Sequence, residues 1–175
     1  RVLFSGLALR VAPGTLLRVA GPNGTGKTSL LRMLCGLLQP TQGEIRWRGK
    51  AIRALKEEYW SALAYVGHLN GVKDDLTAVE NLRASAGIAG LAADEPALRG
   101  ALDAVGLAGF EDSLARFLSQ GQRRRIALAR LFLSGGVPLW ILDEPFTALD
   151  ARGVASLSAL VARHLAGGGI AVLTT

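Results

Sequence analysis

Eight residues, Gly21-Pro22-Asn23-Gly24-Thr25-Gly26-Lys27-Thr28, constrain this chain more than any others. They follow an alternating apolar run over 15–20 and lead into residues 27–38, where Leu30, Leu31, Leu34, Leu37 and Leu38 recur at helical spacing. The pattern predicts a buried strand, a tight glycine loop and a helix. The glycines let backbone N–H groups turn inward, and the helix N-terminus adds a partial positive charge. Such a cradle suits the phosphates of a nucleoside triphosphate. Lys27 is placed to reach the β- and γ-phosphates, and the Thr28 hydroxyl to ligate Mg²⁺. The candidate phosphate-binding set is Gly21, Pro22, Asn23, Gly24, Thr25, Gly26, Lys27, Thr28 and the next helical residue, Ser29.

A second constraint is Leu139-Trp140-Ile141-Leu142-Asp143-Glu144, which ends an apolar strand on two carboxylates. In open α/β sheets the C-terminal strand edge is where ligands bind. Asp143 is placed to hold the Mg²⁺ shell, directly or through water. Glu144 is placed to orient or deprotonate an attacking water. Triphosphate charge needs compensation during hydrolysis, so Mg²⁺ is expected. The alternative for this pair alone is an ordinary strand exit with solvated acids.

The rest of the pattern fits one α/β core of the P-loop NTPase class. Short strands are expected over 44–48, 62–66, 139–142 and 170–174, with a helix over 152–165 between the last two. That strand–helix–strand unit calls for a mostly parallel sheet with flanking helices. Thr77 with Glu80 three residues on is a capping box opening a helix through about residue 89. Residues 75–133 read as a helical subdomain, broken at Gly90, Gly100, Gly106 and Gly109. His164 is expected on the surface of its helix, not as a haem ligand.

Composition narrows the class. A chain of 175 residues holds one well-buried core, and 50% apolar with 19% charged residues excludes disorder. No run reaches the roughly 18 apolar residues of a membrane span. No charged-then-apolar leader follows Arg1, so a soluble or peripheral chain without an export signal is expected. The net charge of +6 is scattered apart from Arg123-Arg124-Arg125, unlike a nucleic-acid face. A face lying near an anionic membrane leaflet is the second reading of that charge. The single Cys35 cannot form an internal disulfide; it fits a reducing compartment and a packing role in an apolar helix.

The order of further motifs carries a resemblance. Leu118-Ser119-Gln120-Gly121-Gln122 begins its signature Ser 92 residues after Lys27, and Gln122 lies 22 residues before Glu144. With Thr147-Ala148-Leu149-Asp150, these strings resemble the nucleotide-binding domain of ABC transporters across the chain. The family pattern at 118–122 is L-S-G-G-Q; Gln120 departs from it and Gly121 keeps it. The resemblance implies an ATP hydrolase whose two cassettes dock head to tail around two ATPs, with a homodimer expected. Ser119, Gly121 and Gln122 would then serve the ATP on the partner's phosphate loop, and Asp150 would belong to the D-loop linking the two sites. The family's adenine-stacking aromatic would precede Arg1, since Phe4 is too close to the phosphate loop. Its switch His would follow Thr175. A chain longer at both ends is therefore expected.

Leu3-Phe4-Ser5-Gly6-Leu7, Gly67-His68, Gly71-Val72-Lys73, residues 76–82, 106–112 and 139–150 resemble the cytochrome c maturation type of cassette, whose role is haem export. This implies integral membrane subunits of a haem-export complex as partners, no nucleic acid, and a peripheral place on the cytoplasmic face of a bacterial inner membrane. His68 stands where most cassettes carry a Gln that contacts the metal shell and relays to the membrane subunit. An imidazole can donate to water or phosphate and, unlike an amide, exchange a proton near neutral pH. Its alternative is a loop His facing solvent or the partner. Two other functions remain open: the ATPase of a lipid or small-molecule exporter, and a soluble ATP clamp on DNA or ribosomes. The long coiled coil or tandem cassette expected of the clamp is not visible.

Overall fold

A computed structural model describes residues 3–147 and 149–175. Arg1, Val2 and Ala148, the second residue of the Thr147-to-Asp150 string, lie outside the described residues. The chain divides into two compact units. One contains the described residues up to His68 together with Val137–Glu144 and His164–Thr175; the other contains Leu69–Gly136 and Pro145–Arg163.

The first unit is built on a parallel sheet. Strand β1 (Leu16–Val19) runs into the glycine loop and helix α1 (Lys27–Leu34). A two-residue hairpin follows, β2 (Arg46–Trp47) with β3 (Lys50–Ala51), turning at Arg48 and Gly49. Short helices α2 (Ile52–Leu55) and α3 (Glu57–Ser61) lead to β4 (Leu63–Val66). Strands β5 (Leu139–Leu142) and β6 (Ile170–Thr174) complete the order β1-β6-β5-β4. All three pairings are parallel, with Leu142 opposite both Val66 and Leu173. Strand alternation sends Leu139, Ile141 and Val172 into one apolar layer with Leu31 and Cys35 at the α1 side and Tyr59 from α3. Burying each such side chain contributes about 1.5–3 kcal/mol. Burial also pushes the Cys35 thiol up to about 12, which suits the expected packing role.

The second unit is helical. It contains α4 (Ala78–Ile88), α5 (Glu95–Ala104), α6 (Gln120–Ala129) and most of α7 (Ala151–Ala166). The Thr77–Glu80 capping box forms as expected at the start of α4. Asp94 caps α5 through the Ala97 N–H. Leu82, Leu98, Leu102, Leu107, Leu128 and Leu131 are fully buried.

Several local expectations are corrected. Strand β1 is not buried: it forms the edge of the sheet among the described residues, and Leu16 is 45% exposed. Helix α1 ends at Leu34, four residues short of Leu38, because Gly36 at φ +73° turns the chain left-handed and sends the Leu37 and Leu38 N–H groups back to the Arg32 carbonyl. The strand expected over 44–48 shrinks to Arg46–Trp47 and gains a hairpin partner. Gly100 is no break; it lies inside α5.

His164 is half-buried on its helix, not a freely exposed surface residue. Its ring stacks on buried Trp140 at 3.9 Å between centroids and 7° between planes, and Nε2 lies 3.2 Å from the Ile170 carbonyl. Desolvation holds its pKa below the ordinary imidazole value. A Cβ on Gly169 would come within 2.3 Å of that ring. Because relieving that clash would disturb the stack on Trp140, Gly169→Ala should destabilise the protein by about 1–3 kcal/mol. Urea unfolding checks this, and Gly169→Ala combined with His164→Ala should lose less stability than the two separate losses added together.

Candidate functional site

The phosphate loop gets its shape from its backbone. Gly24 sits at φ +79° and Gly26, the N-cap of α1, at φ +100°, a region closed to most residues with a Cβ. A Cβ at Gly26 would also crowd the Leu3 side chain at 3.2 Å. Thr25 Oγ1 donates to the Pro22 carbonyl at 2.9 Å and braces the loop from within. Helix α1 has no side-chain N-cap and no acid in its first turn, so its leading N–H groups face the loop with their dipole uncompensated. That combination fits an anion. Lys27, the first helical residue, donates from Nζ to the Gly21 and Thr175 carbonyls, the latter at 3.1 Å.

At the second residue of the loop's helix, Thr28 Oγ1 donates to Asp143 Oδ2 at 3.0 Å. Asp143 follows β5 directly and is only 4% exposed. Its other oxygen, Oδ1, accepts from Thr174 Oγ1 at 2.7 Å, and its N–H donates to the Val66 carbonyl at 2.8 Å. Glu144 comes next at φ +48°, uncommon for a residue with a side chain, and its N–H donates to Thr174 Oγ1 at 2.8 Å. Thr174 lies beyond the reach of motif reading, whose only available clue is a hydroxyl closing an apolar strand.

These donors suit a small hard cation. A hydroxyl and one carboxylate, with room for phosphate oxygens and water, is the protein's usual share of a Mg²⁺ shell. Among the described residues, no cluster of three His, Cys, Asp or Glu offers an all-protein metal cage. The ion would therefore depend on a nucleotide for its remaining ligands.

His68 is exposed and comes two residues after β4, at the strand edge that also carries Asp143. A Cβ on Gly67 before it would lie 2.5 Å from the Tyr65 hydroxyl, so a larger residue there would displace the Tyr65 ring. Lys27, Thr28, Asp143, Glu144 and His68 thus all sit at the C-terminal edge of one sheet.

Ser119, Gly121, Gln122 and Asp150 belong to the second unit. Ser119 is the N-cap of α6, where its hydroxyl accepts from the Gln122 N–H at 3.2 Å and Gln122 Oε1 accepts from the Ser119 N–H at 2.9 Å. The signature is therefore also a capping box. Gly121 is nearly open: a Cβ there would meet only Ser119 Oγ within 4 Å. Asp150 Oδ1 accepts from the Gly153 N–H at 2.8 Å at the start of α7. Both caps follow from spacing, Ser-x-x-Gln and Asp-x-x-Gly, a signal that the motif reading passed over.

Residues 4–147 match the ABC transporter family. The chain belongs to that family. Among curated proteins, the cytochrome c biogenesis ATP-binding export protein CcmA of Nitrosospira multiformis is 56% identical over 175 residues, covering all of this chain and 84% of that protein. The protein of the same name from Aromatoleum aromaticum is 55% identical and covered to 82%. Among solved structures, an ATP-binding subunit of an ABC transporter superposes with a TM-score of 0.80 at 27% identity, over 95% of this chain and 70% of that one. A dimeric ATP-binding cassette in a post-hydrolysis state with ADP and Pi gives 0.80 at 24% identity, over 95% and 77%, and shows the fold alone. The chain is an ABC ATPase of the cytochrome c biogenesis kind.

The capping box makes a separable claim about Ser119. Ser119→Ala should cost about 1 kcal/mol of stability from the lost cap, whereas Ser119→Asp should retain most of it. Denaturant unfolding of the two variants checks this.

Proposed function

We propose that this chain is the ATP-hydrolysing subunit of a haem-export complex serving c-type cytochrome maturation. Its relatives carry that biogenesis and export name at 56% and 55% identity. The observation that supports the chemistry most directly is the hydroxyl–carboxylate pair, Thr28 with Asp143, beside the glycine loop.

In this reading the N–H groups of residues 24–28 and the Lys27 ammonium bind the β- and γ-phosphates of ATP. Gly21, Pro22, Asn23 and Ser29 complete the loop around them. Thr28 and Asp143 would hold Mg²⁺, which would offset the charge of the phosphates. Glu144 orients the attacking water or takes its proton, and its fixed backbone limits where the carboxylate can point. In this reading His68 takes the part of the family's Gln, contacting the metal shell and relaying to a membrane subunit. Ser119, Gly121, Gln122 and Asp150 serve the ATP of a second cassette, so two copies make two complete sites. A solved cassette of the same fold is dimeric with ADP and Pi bound. No helix among the described residues is long and apolar enough to cross a membrane. Integral membrane partners would therefore supply the path, with the cassette peripheral on the cytoplasmic face of the inner membrane.

Lys27→Ala should abolish productive ATP binding, measured by equilibrium binding of labelled ATP. Glu144→Gln should bind ATP within a few-fold of native and lose about a hundredfold or more in turnover. Native-rate hydrolysis by Glu144→Gln would remove Glu144 from the chemistry. Co-purification of the native protein with an unrelated permease, without haem-handling membrane proteins, would overturn the assignment to haem export.

A further inference from the structure

We propose that Thr174 is a positioning residue whose single hydroxyl sets the carboxylate of Asp143 and the backbone of Glu144 at once. The proposal rests on the roles given above to those two acids. Strand β6 reads Ile170-Ala171-Val172-Leu173-Thr174, four apolar residues and then a hydroxyl. By strand alternation Thr174 shares a face with Val172, which packs into the layer containing Leu31 and Cys35. It is 0% exposed. Packing alone would be met by Val, which has the same branched shape and no polar group to desolvate. A hydroxyl here needs partners, and it has one for each of its functions. It donates to Asp143 Oδ1 at 2.7 Å and accepts the Glu144 N–H at 2.8 Å.

The consequences differ at the two acids. Asp143 Oδ2 is held by Thr28, so with Thr174 on Oδ1 the carboxylate plane is fixed from the α1 side and from β6 together. Glu144 is at φ +48°, a conformation that persists only where its surroundings impose it. The Thr174 oxygen supplies part of that imposition by fixing the Glu144 N–H direction, and with it the exit angle of the side chain. Thr174 touches no reacting atom. Its effect would reach the chemistry only through the two acids.

The test uses the full-length protein in its membrane complex, with Thr174→Val and Thr174→Ser. Thr174→Val is expected to lower kcat about ten- to a hundredfold, with KM and metal-free ATP binding in EDTA within about threefold of native. Thr174→Ser keeps the hydroxyl and should recover most of the lost turnover. If Thr174→Val does not fold, Thr174→Ser and Thr174→Ala, which differ only by the hydroxyl, carry the same comparison. Native turnover in Thr174→Val, an equal loss in Thr174→Ser, or a loss confined to KM or metal-free binding would each overturn the proposal. Glu144→Gln is measured alongside. If it is inactive while Thr174→Val is native, only the role of Thr174 fails; if it hydrolyses ATP normally, the reading of Glu144 fails first.

Discussion

Burial of the Asp143 carboxylate is the constraint on which the first unit depends. A carboxylate that is 4% exposed must be met by donors, because leaving it unpaired would cost several kcal/mol. The donors come from separate places in the chain: Thr28 on the loop's helix and Thr174 at the end of β6, with the Asp143 N–H anchored on Val66 of β4. None of these meets Asp143 unless β4, β5 and β6 are parallel and in the observed register. A one-residue slip of β6 would turn Thr174 to the opposite face and replace it with Leu173. The site and the sheet register are thus one requirement.

That coupling explains what is legible in the sequence. The glycine loop, the acidic strand end and the capping box of α4 are each contiguous strings, with local physics that a single sequence displays. Their bearers, Lys27, Thr28, Asp143, Glu144 and His68, come to one strand edge because parallel strands share their C-terminal ends. What the sequence hides are relations between distant segments. The edge position of β1 depends on which strands flank it. Thr174 takes its place from a pairing with β5, some thirty residues away, and His164 from a Trp on that same strand. The hairpin of β2 and β3 escapes for a different reason: two-residue strands are too short to show a period.

Caps supply a further lesson about motif residues. Ser119, Gln122 and Asp150 are singled out by family pattern, yet each also closes the N-terminus of a helix in its own chain. A substitution there changes helix stability along with any service to a second cassette. Separating the two requires replacements that keep the cap, since loss of activity in an alanine variant would mix both effects.

The turn between α7 and β6 shows how composition can mislead about tolerance. Gly167-Gly168-Gly169 has the look of a flexible linker, the kind of place chosen for inserting a tag or rejoining a permuted chain. Its backbone is instead committed at successive positions: Gly168 N–H to the Leu165 carbonyl, Gly169 N–H to the His164 carbonyl, and the Gly169 carbonyl to the Gly14 N–H. The last glycine also lies close against the His164 ring that stacks on Trp140, where a Cβ would come within 2.3 Å of it. An epitope or fluorophore placed there would pry β6 from its neighbours and carry Thr174 with it. Labels for following this ATPase are better carried on the exposed Arg48-Gly49 turn as an insertion that keeps Gly49, since its φ of +81° would strain any side chain put in its place.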